Sequence, residues 1–543
     1  MIMKKYLEAI NPRIYIALSG LLLGLTVIFA EIGLFAFFAM IPLALMILKK
    51  TKNGEYSTKS AYIDGFIFYM SFDIVVFHWF TYFYPLDFAE LSKLEAIFVI
   101  ALAWFGVSAL QSVFSAFVFV LISKFAKNEI YKKHPMLLAP YAAALWTVNE
   151  WTQTFTWAGV PWGRIAISQT EMPIMMQNAS LFGSYFLTFV IVLINFLAAM
   201  AIFCEDRRKM ASKIAALVLC IHVLCGSILY FVPNENKEKS IKTASIQGNI
   251  ESQSAWDVSD SEMFDIYEAQ TRKAVDKGAE LVIWPEGALL VDIDFYIKPK
   301  SSDKIIRISE AVSNLSVSVN ATIVLGTFVY SDDGEDLFNS MSVFYPDGSH
   351  VIGAYSKMKP VPFGEYLPMR NIITTILPVL EEINLLDYEV TPGKEHSLFS
   401  ATKDEDAIKV GTLICFDAIY EALAKNSARE GAEIFVIPSN DSWFYDSRAM
   451  NMHHSQNILR AVEQGKYTVN CGNTGITSFV NGKGDVISIM PIYQEGYLID
   501  TVYASSARTL YSYIGNFFVY VCAIVALSPF TVAFIYKKKK QVD

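Results

Sequence analysis

Charge is scarce in this chain. Of 543 residues, Asp, Glu, Lys and Arg make up 18% and apolar types 53%, with a mean hydropathy of +0.36. That is too apolar for an ordinary soluble protein. The net charge of −9 argues against nucleic acid as a partner. The six cysteines show no CxxC spacing, so neither a zinc site nor a disulfide framework is expected. Glycine-rich phosphate loops of the GxGxxG or Walker type are absent. His453 and His454 are adjacent, whereas a helical metal site needs ligands three or four apart. No cofactor and no metal are expected.

Long uncharged runs are abundant. They fall at about 14–30, 33–48, 61–83, 96–123, 136–149, 177–203, 214–232 and 511–536. Crossing a hydrocarbon layer takes roughly 20 helical residues, or as few as 17, so eight spans are expected, the first, second and fifth being short. The first has no small-residue cleavage site and reads as an uncleaved anchor. With eight spans, one set of ends carries 19 Lys and Arg, and the short loops opposite carry only Lys93 and Arg164. Positive residues stay in the cytoplasm, which puts both termini there and residues 233–510 outside. The expected domains are a seven-helix bundle over 1–232, an outer domain over 233–510, and an eighth span with a basic tail over 511–543. The KKKK tail reads as a topology anchor, one that can touch anionic membrane lipid.

In the outer segment the pattern changes. Strand-like runs such as AELVIWPEG, TIVLGTFVY, HVIGAYSKMK, IKVGTLICF and GAEIFVIPSND alternate with helical ones at 261–278 and near 448–464. The pattern predicts an α/β domain with helix-covered sheets, whose ligands gather at strand carboxyl ends. Three reactive types stand at such ends: Glu286, Lys357 and Cys415. Taken singly, Cys415 reads as a core thiol, Lys357 as a solvated loop charge and Glu286 as a helix-start acid. Together they fit acyl transfer. A thiol with an ordinary pKa near 8.5 needs a base or a cation to attack a carbonyl. A glutamate supplies the base, a lysine stabilises the oxyanion, and the product is a thioester.

The phrases IWPEGA, YSKMKPVPFGEYLP, LICFDAIYE and PSNDSWF resemble the nitrilase superfamily, whose glutamate–lysine–cysteine triad matches Glu286, Lys357 and Cys415. Together with the eight-span shell, QGNIESQSAWD, AGVPWGRIAISQ, PFGEYLP and NTGIT resemble its membrane branch, the apolipoprotein N-acyltransferases. The resemblance implies an αββα sandwich inserted between the last two helices of an eight-helix bundle and facing the periplasm from the cell inner membrane. It implies that Cys415 takes an acyl chain from a phospholipid, typically phosphatidylethanolamine, and passes it to the α-amino group of a diacylated apolipoprotein. Glu286 would be the proton acceptor, Lys357 the stabiliser and Glu365 a supporting acid. Trp256 matches an aromatic at the substrate entry, and Trp162, Phe416 and Asp417 are further candidates for substrate binding. Phe416-Asp417 replaces the family's usual Tyr-Glu.

Several features keep alternatives open. A Cys415–Cys471 disulfide is conceivable in an oxidising compartment. Residues 360–400 read either as an apolar lid or as an extra helix covering a sheet. Trp151, Trp157 and Trp162 read as a membrane-boundary belt or as ordinary packing. Asp64, Asp73 and His78 suggest a proton relay, but Asp73 and His78 sit roughly 140° apart on a helix, which favours hydrogen bonding inside the bundle. Two other functions remain. One is a membrane-tethered amidase that releases the thioester to water, and the other is a silent lipoprotein-binding scaffold.

Overall fold

The computed structural model describes residues 11–86, 91–233, 239–250, 258–376 and 389–539. Trp256 and residues 377–388 of the apolar insert lie outside them. The chain divides into two compact units, one of 1–84, 93–232 and 514–543, the other of 85–92 and 233–513.

The first unit is helical, and each of the eight apolar runs is largely helix. Ala30–Lys52, Lys93–Phe125, Ser184–Phe203 and Glu205–Phe231 are long and apolar enough to cross a membrane, and Pro12–Ile28 and Phe517–Pro529 are shorter apolar helices. The exposed surface of Glu205–Phe231 includes Leu217, Ile221, Leu224 and Ile228, a face suited to hydrocarbon rather than water. Several buried polar groups are paired inside the bundle, as a medium without water favours. Asp64 is bound by Lys50 and by Arg13. Asp73 accepts from the Ser112 hydroxyl at 3.3 Å, and His78 Nδ1 meets the Val75 carbonyl at 2.9 Å. No contact joins Asp73 to His78 among the described residues, so the bundle-bonding alternative fits better than a relay. Trp162 is buried and packs on Trp79, which is interior packing rather than a boundary belt.

The second unit is built on two six-stranded sheets. The first runs β14-β1-β2-β5-β6-β7, from β1 (Ser240–Gln247), β2 (Leu281–Ile283), β5 (Thr322–Tyr330), β6 (Leu337–Phe344), β7 (His350–Ser356) and β14 (Gly496–Tyr503). The second runs β13-β12-β11-β10-β9-β8, from β8 (Leu398–Ser400), β9 (Lys409–Thr412), β10 (Ile434–Ser439), β11 (Thr468–Gly472), β12 (Thr477–Val480) and β13 (Val486–Met490). A small antiparallel pair, β3 (Tyr296–Ile297) and β4 (Ile306–Arg307), stands apart. In each sheet three adjacent strands are parallel: β1, β2 and β5 in one, β9, β10 and β11 in the other. Central parallel strands are covered on both faces and read as continuous apolar runs.

Alternation within those runs builds two cores. Leu281 and Ile283 of β2 join Ile434, Val436, Val469 and Phe479 of the other sheet between the layers. Val282 points the other way, with Phe264 and Tyr267 of helix α1 (Asp260–Asp276) and Val312 of α2 (Ile308–Val319). Helices α3 (Glu421–Glu430) and α4 (Arg448–Gln464) pack against β9 and β11 of the second sheet. The result is helix, sheet, sheet, helix.

Cys471 belongs to the core between the sheets, its thiol 3.3 Å from the Ile283 carbonyl and 3.5 Å from that of Ile246. Both Cys415 and Cys471 are free, which corrects the conceivable disulfide: the second thiol is packed as an apolar core group. Burial pushes the Cys471 thiol up to about 12. Maleimide treatment of the folded protein at neutral pH is therefore expected to label Cys415 and to reach Cys471 only after denaturation. Peptide mapping that finds Cys471 labelled natively at the same rate would contradict this placement.

Candidate active site

Each reactive side chain leaves a strand end. After β2 the chain turns through Trp284-Pro285 to Glu286. Trp284 is pinned by stacking on Tyr267 and by an Nε1–H bond to Thr271 Oγ1 at 2.9 Å. The turn is possible because Gly326 of β5 lies beneath it: a Cβ there would stand 2.4 Å from the Pro285 carbonyl oxygen and 2.8 Å from Glu286 Cα. Lys357 follows β7, its N–H donating to the Asn339 carbonyl at 2.8 Å. Cys415 follows β9 and opens a short 3-10 turn with φ +47°. A non-glycine residue in that left-handed region carries about 1–3 kcal/mol of strain unless its surroundings hold it.

The three converge. Lys357 is 2% exposed and Glu286 7%. The Lys357 ammonium is 2.8 Å from Glu286 Oε1 and 2.8 Å from Glu365 Oε2. Asn339 Nδ2 donates to both carboxylates, at 2.8 and 2.9 Å. The Asn440 amide donates to Glu286 Oε2 at 3.0 Å and the Val361 amide to Glu365 Oε2 at 2.7 Å. Cys415 keeps partial exposure, and its thiol feels Glu286, Lys357, Asp441 and Glu365 electrostatically.

These neighbours set the protonation states. Burial drives the Cys415 thiol well up; Glu286 adds to this, and Lys357 opposes it. Burial alone would raise Glu286, but Lys357, Asn339 and the Asn440 amide more than reverse it, and its carboxyl sits below the usual range. Burial alone would lower Lys357; Glu286, Glu365 and Cys415 overcome that and hold it well above its ordinary value. The resting trio is thiol, carboxylate and ammonium, the combination in which a base is ready to take a thiol proton.

The candidates for substrate contact fall out differently. Phe416 is buried and meets Tyr420 edge-on. Asp417 is fully buried, and its carboxylate accepts from the Tyr355 hydroxyl (2.8 Å) and the amides of Lys359 (2.8 Å), Met358 (3.2 Å) and Ile414 (3.2 Å). It ties the chain after Lys357 to the turn that presents Cys415, so its contacts are internal. Trp162 lies in the helical unit, buried.

Sequence reasoning missed Asn339 and Asn440 as donors, and it weighed His453 only as a metal ligand. Cys415 Sγ and donor atoms of Asp441 and His453 lie within 4.8 Å of one another. That set resembles a metal site in composition, but both ring nitrogens of His453 are engaged, one by Asp441 Oδ1 at 2.9 Å and one by the Cys415 carbonyl at 3.1 Å. No nitrogen lone pair faces the thiol, so the residues present do not fit a metal. The signal for Asp441 lies in PSNDSWF, where an acid follows directly on Asn440, just beyond β10.

Residues 242–511 match the carbon-nitrogen hydrolase family, and residues 19–197 match the apolipoprotein N-acyltransferase N-terminal domain. The chain belongs to the apolipoprotein N-acyltransferase family. It is 29% identical to an apolipoprotein N-acyltransferase of Geobacter metallireducens over 97% of this chain and 96% of the relative. It is 26% identical to one of Thermotoga maritima over 94% and 91%. Among solved structures it is similar to Saccharomyces cerevisiae Nit3, at 19% identity and TM-score 0.36 over 52% of this chain and 95% of the other. It is also similar to an amidase from Nesterenkonia, at 14% identity and TM-score 0.35 over 50% and 94%.

Asp417 makes a pH prediction. Burial pushes its carboxyl up to about 6, against the pull of the Tyr355 hydroxyl, Lys357 and the two backbone amides. Its folded pKa is raised, so protonation between about 6 and the unfolded value near 3.9 favours the folded state and costs no stability. The acid that forms, however, no longer accepts from all its donors. Cys415 acylation is expected to fall as pH drops through about 6 while the unfolding temperature does not. In Asp417→Asn, acylation at neutral pH should be about 10–100-fold slower, the worth of bonds to a charged group, and that acid limb should vanish. An unchanged limb in Asp417→Asn would assign it elsewhere.

Proposed function

We propose that this chain is a phospholipid:apolipoprotein N-acyltransferase that completes lipoprotein maturation by acylating the α-amino group of an N-terminal S-diacylglyceryl-cysteine. The observation that carries the reading is the buried Lys357 ammonium, 2.8 Å from both Glu286 and Glu365, beside a partly exposed thiol in a chain rich in apolar helices. The names of its relatives support the acyl transfer. The apolar helices support a lipid donor, because an acyl chain loses about 0.8 kcal/mol for every CH₂ drawn into water, and phosphatidylethanolamine is the donor proposed.

In the first half-reaction Glu286 takes the Cys415 proton and the sulfur attacks the donor's ester carbonyl. Lys357 stabilises the oxyanion. The C–O bond breaks, Glu286 returns the proton to the leaving alkoxide, and a lysophospholipid departs from a Cys415 thioester. In the second, the acceptor amine attacks the thioester, Glu286 takes a proton from the amine and delivers it to sulfur, and the amide leaves. Glu365 shares the lysine and keeps its position. Asp417 positions the nucleophile turn, and Trp256 belongs to the substrate entry.

The domain assignment follows. Residues 1–232 form seven spans, 233–510 the catalytic domain facing the periplasm, and 511–543 the eighth span with a basic cytoplasmic tail. Both termini lie in the cytoplasm and the host is the inner membrane.

Acyl-labelled phosphatidylethanolamine is expected to leave hydroxylamine-sensitive label on the parent chain and none on Cys415→Ala. Lysophospholipid should build up catalytically only when a diacylated lipopeptide with a free amine is supplied. Equal label on Cys415→Ala would refute the thioester, and steady release of free fatty acid without an amine would favour the amidase.

A further inference from the structure

The nucleophile's backbone needs a holder, and the mechanism so far supplies only part of one. His453 stands in the first turns of α4, behind Cys415 and 1% exposed. Its Nε2 is 3.1 Å from the Cys415 carbonyl oxygen and its Nδ1 2.9 Å from Asp441 Oδ1. A carbonyl can only accept. If Asp441 is ionised, both nitrogens carry hydrogen and the ring is an imidazolium. With no lone pair it cannot be the base for the thiol, and the cysteine–histidine chemistry of other thiol enzymes is ruled out here.

We propose that His453, kept charged by Asp441, is a positioning residue for the nucleophile: its Nε2–H holds the Cys415 carbonyl in the left-handed turn, and its charge offsets the carboxylates that surround the sulfur. The first role follows from φ +47° at Cys415, a conformation that persists only where neighbours over-determine it. The second follows from the local balance. The sulfur feels three carboxylates, Glu286, Asp441 and Glu365, against one ammonium, Lys357. Among the groups that act on the ring are Asp441, Glu286, the Cys415 carbonyl, His454 and the Phe444 ring. Burial opposes a charge on His453, and Asp441 together with its hydrogen bond overcomes it. Burial and the neighbouring His453 push His454 down to about 4, so His454 is neutral and Nε2 bonds the Ser478 hydroxyl at 2.7 Å.

The inference rests on Cys415 being the nucleophile, but its test does not require turnover. His453→Gln keeps an amide N–H that can reach the Cys415 carbonyl and removes the charge; His453→Ala removes both. At pH 8, iodoacetamide should alkylate Cys415 about tenfold more slowly in either variant, one pKa unit of lost thiolate. Transfer should fall in kcat with little change in donor KM, and His453→Gln should keep more of kcat than His453→Ala. A generally loosened fold would expose the thiol and speed alkylation, the opposite direction. Alkylation as fast as in the parent, or faster, overturns the proposal, and so does equal kcat in the two variants. If His453→Ala does not accumulate, alkylation of His453→Gln decides alone. Failure of the acyltransferase reading would show separately, as turnover retained by Cys415→Ala.

Discussion

Everything at the candidate site is arranged around one ammonium shared by two carboxylates. Removing an ion from water costs several kcal/mol, and attraction in the interior repays it only with good geometry and satisfied remaining valences. Both conditions hold. Lys357 contacts Glu286 and Glu365 at 2.8 Å each, and Asn339 bridges the same two carboxylates from below. Because one ammonium serves two carboxylates, removing Lys357 leaves both of them uncompensated in the interior. The parallel strand ends of β2 and β9, with Asn339 on β6 and Lys357 just beyond β7, are rigid enough to keep that cluster in register.

The cluster also explains how a thiol can be both protonated and poised. Net negative charge around the sulfur favours the thiol, which reacts more slowly than a thiolate with oxidants and stray electrophiles. It is Glu286, held ionised by the same lysine, that can remove the proton when a carbonyl arrives. In the proposed reaction negative charge moves from the carboxylate through sulfur to the oxyanion, with Lys357 beside it. No reorganisation is needed at the moment of reaction, which is the condition under which fixed charges lower a barrier most.

Much of this was legible in the sequence, and for a physical reason. Glu286, Lys357 and Cys415 each end an apolar run, and in a sheet protein strand ends meet. Strand positions could be read because β2, β10 and the first two thirds of β5 are buried on both faces and therefore mostly apolar. What could not be read depends on approach across the fold. Nothing local says that His453, 38 residues after Cys415, returns to its carbonyl, or that Asp417 bonds two amides following Lys357. The adjacent histidines suggested metal and were dismissed on spacing, whereas one faces the active site and the other the Ser478 hydroxyl of β12. Cys471 suggested a redox partner only because cysteine is ambiguous by itself; its place between the sheets makes it a small apolar residue.

The proposed chemistry makes different demands on the two kinds of structure in the chain. Proton transfer between sulfur and carboxylate needs positions fixed to a few tenths of an ångström, and the sandwich supplies this through two cores and a bonded charge cluster. Handling a lipid needs apolar surface, which the helices supply in Leu217, Ile221, Leu224 and Ile228 and their like. A hydrolase for small amides has the first need without the second. A thioester enzyme that must hold its acyl group until an amine arrives has both, since the proton Glu286 accepts from thiol or amine must each time be returned to the group that leaves. The same carboxylate serves both half-reactions because each hands back the proton it took: the first ends with thioester, carboxylate and ammonium, and the second restores the thiol.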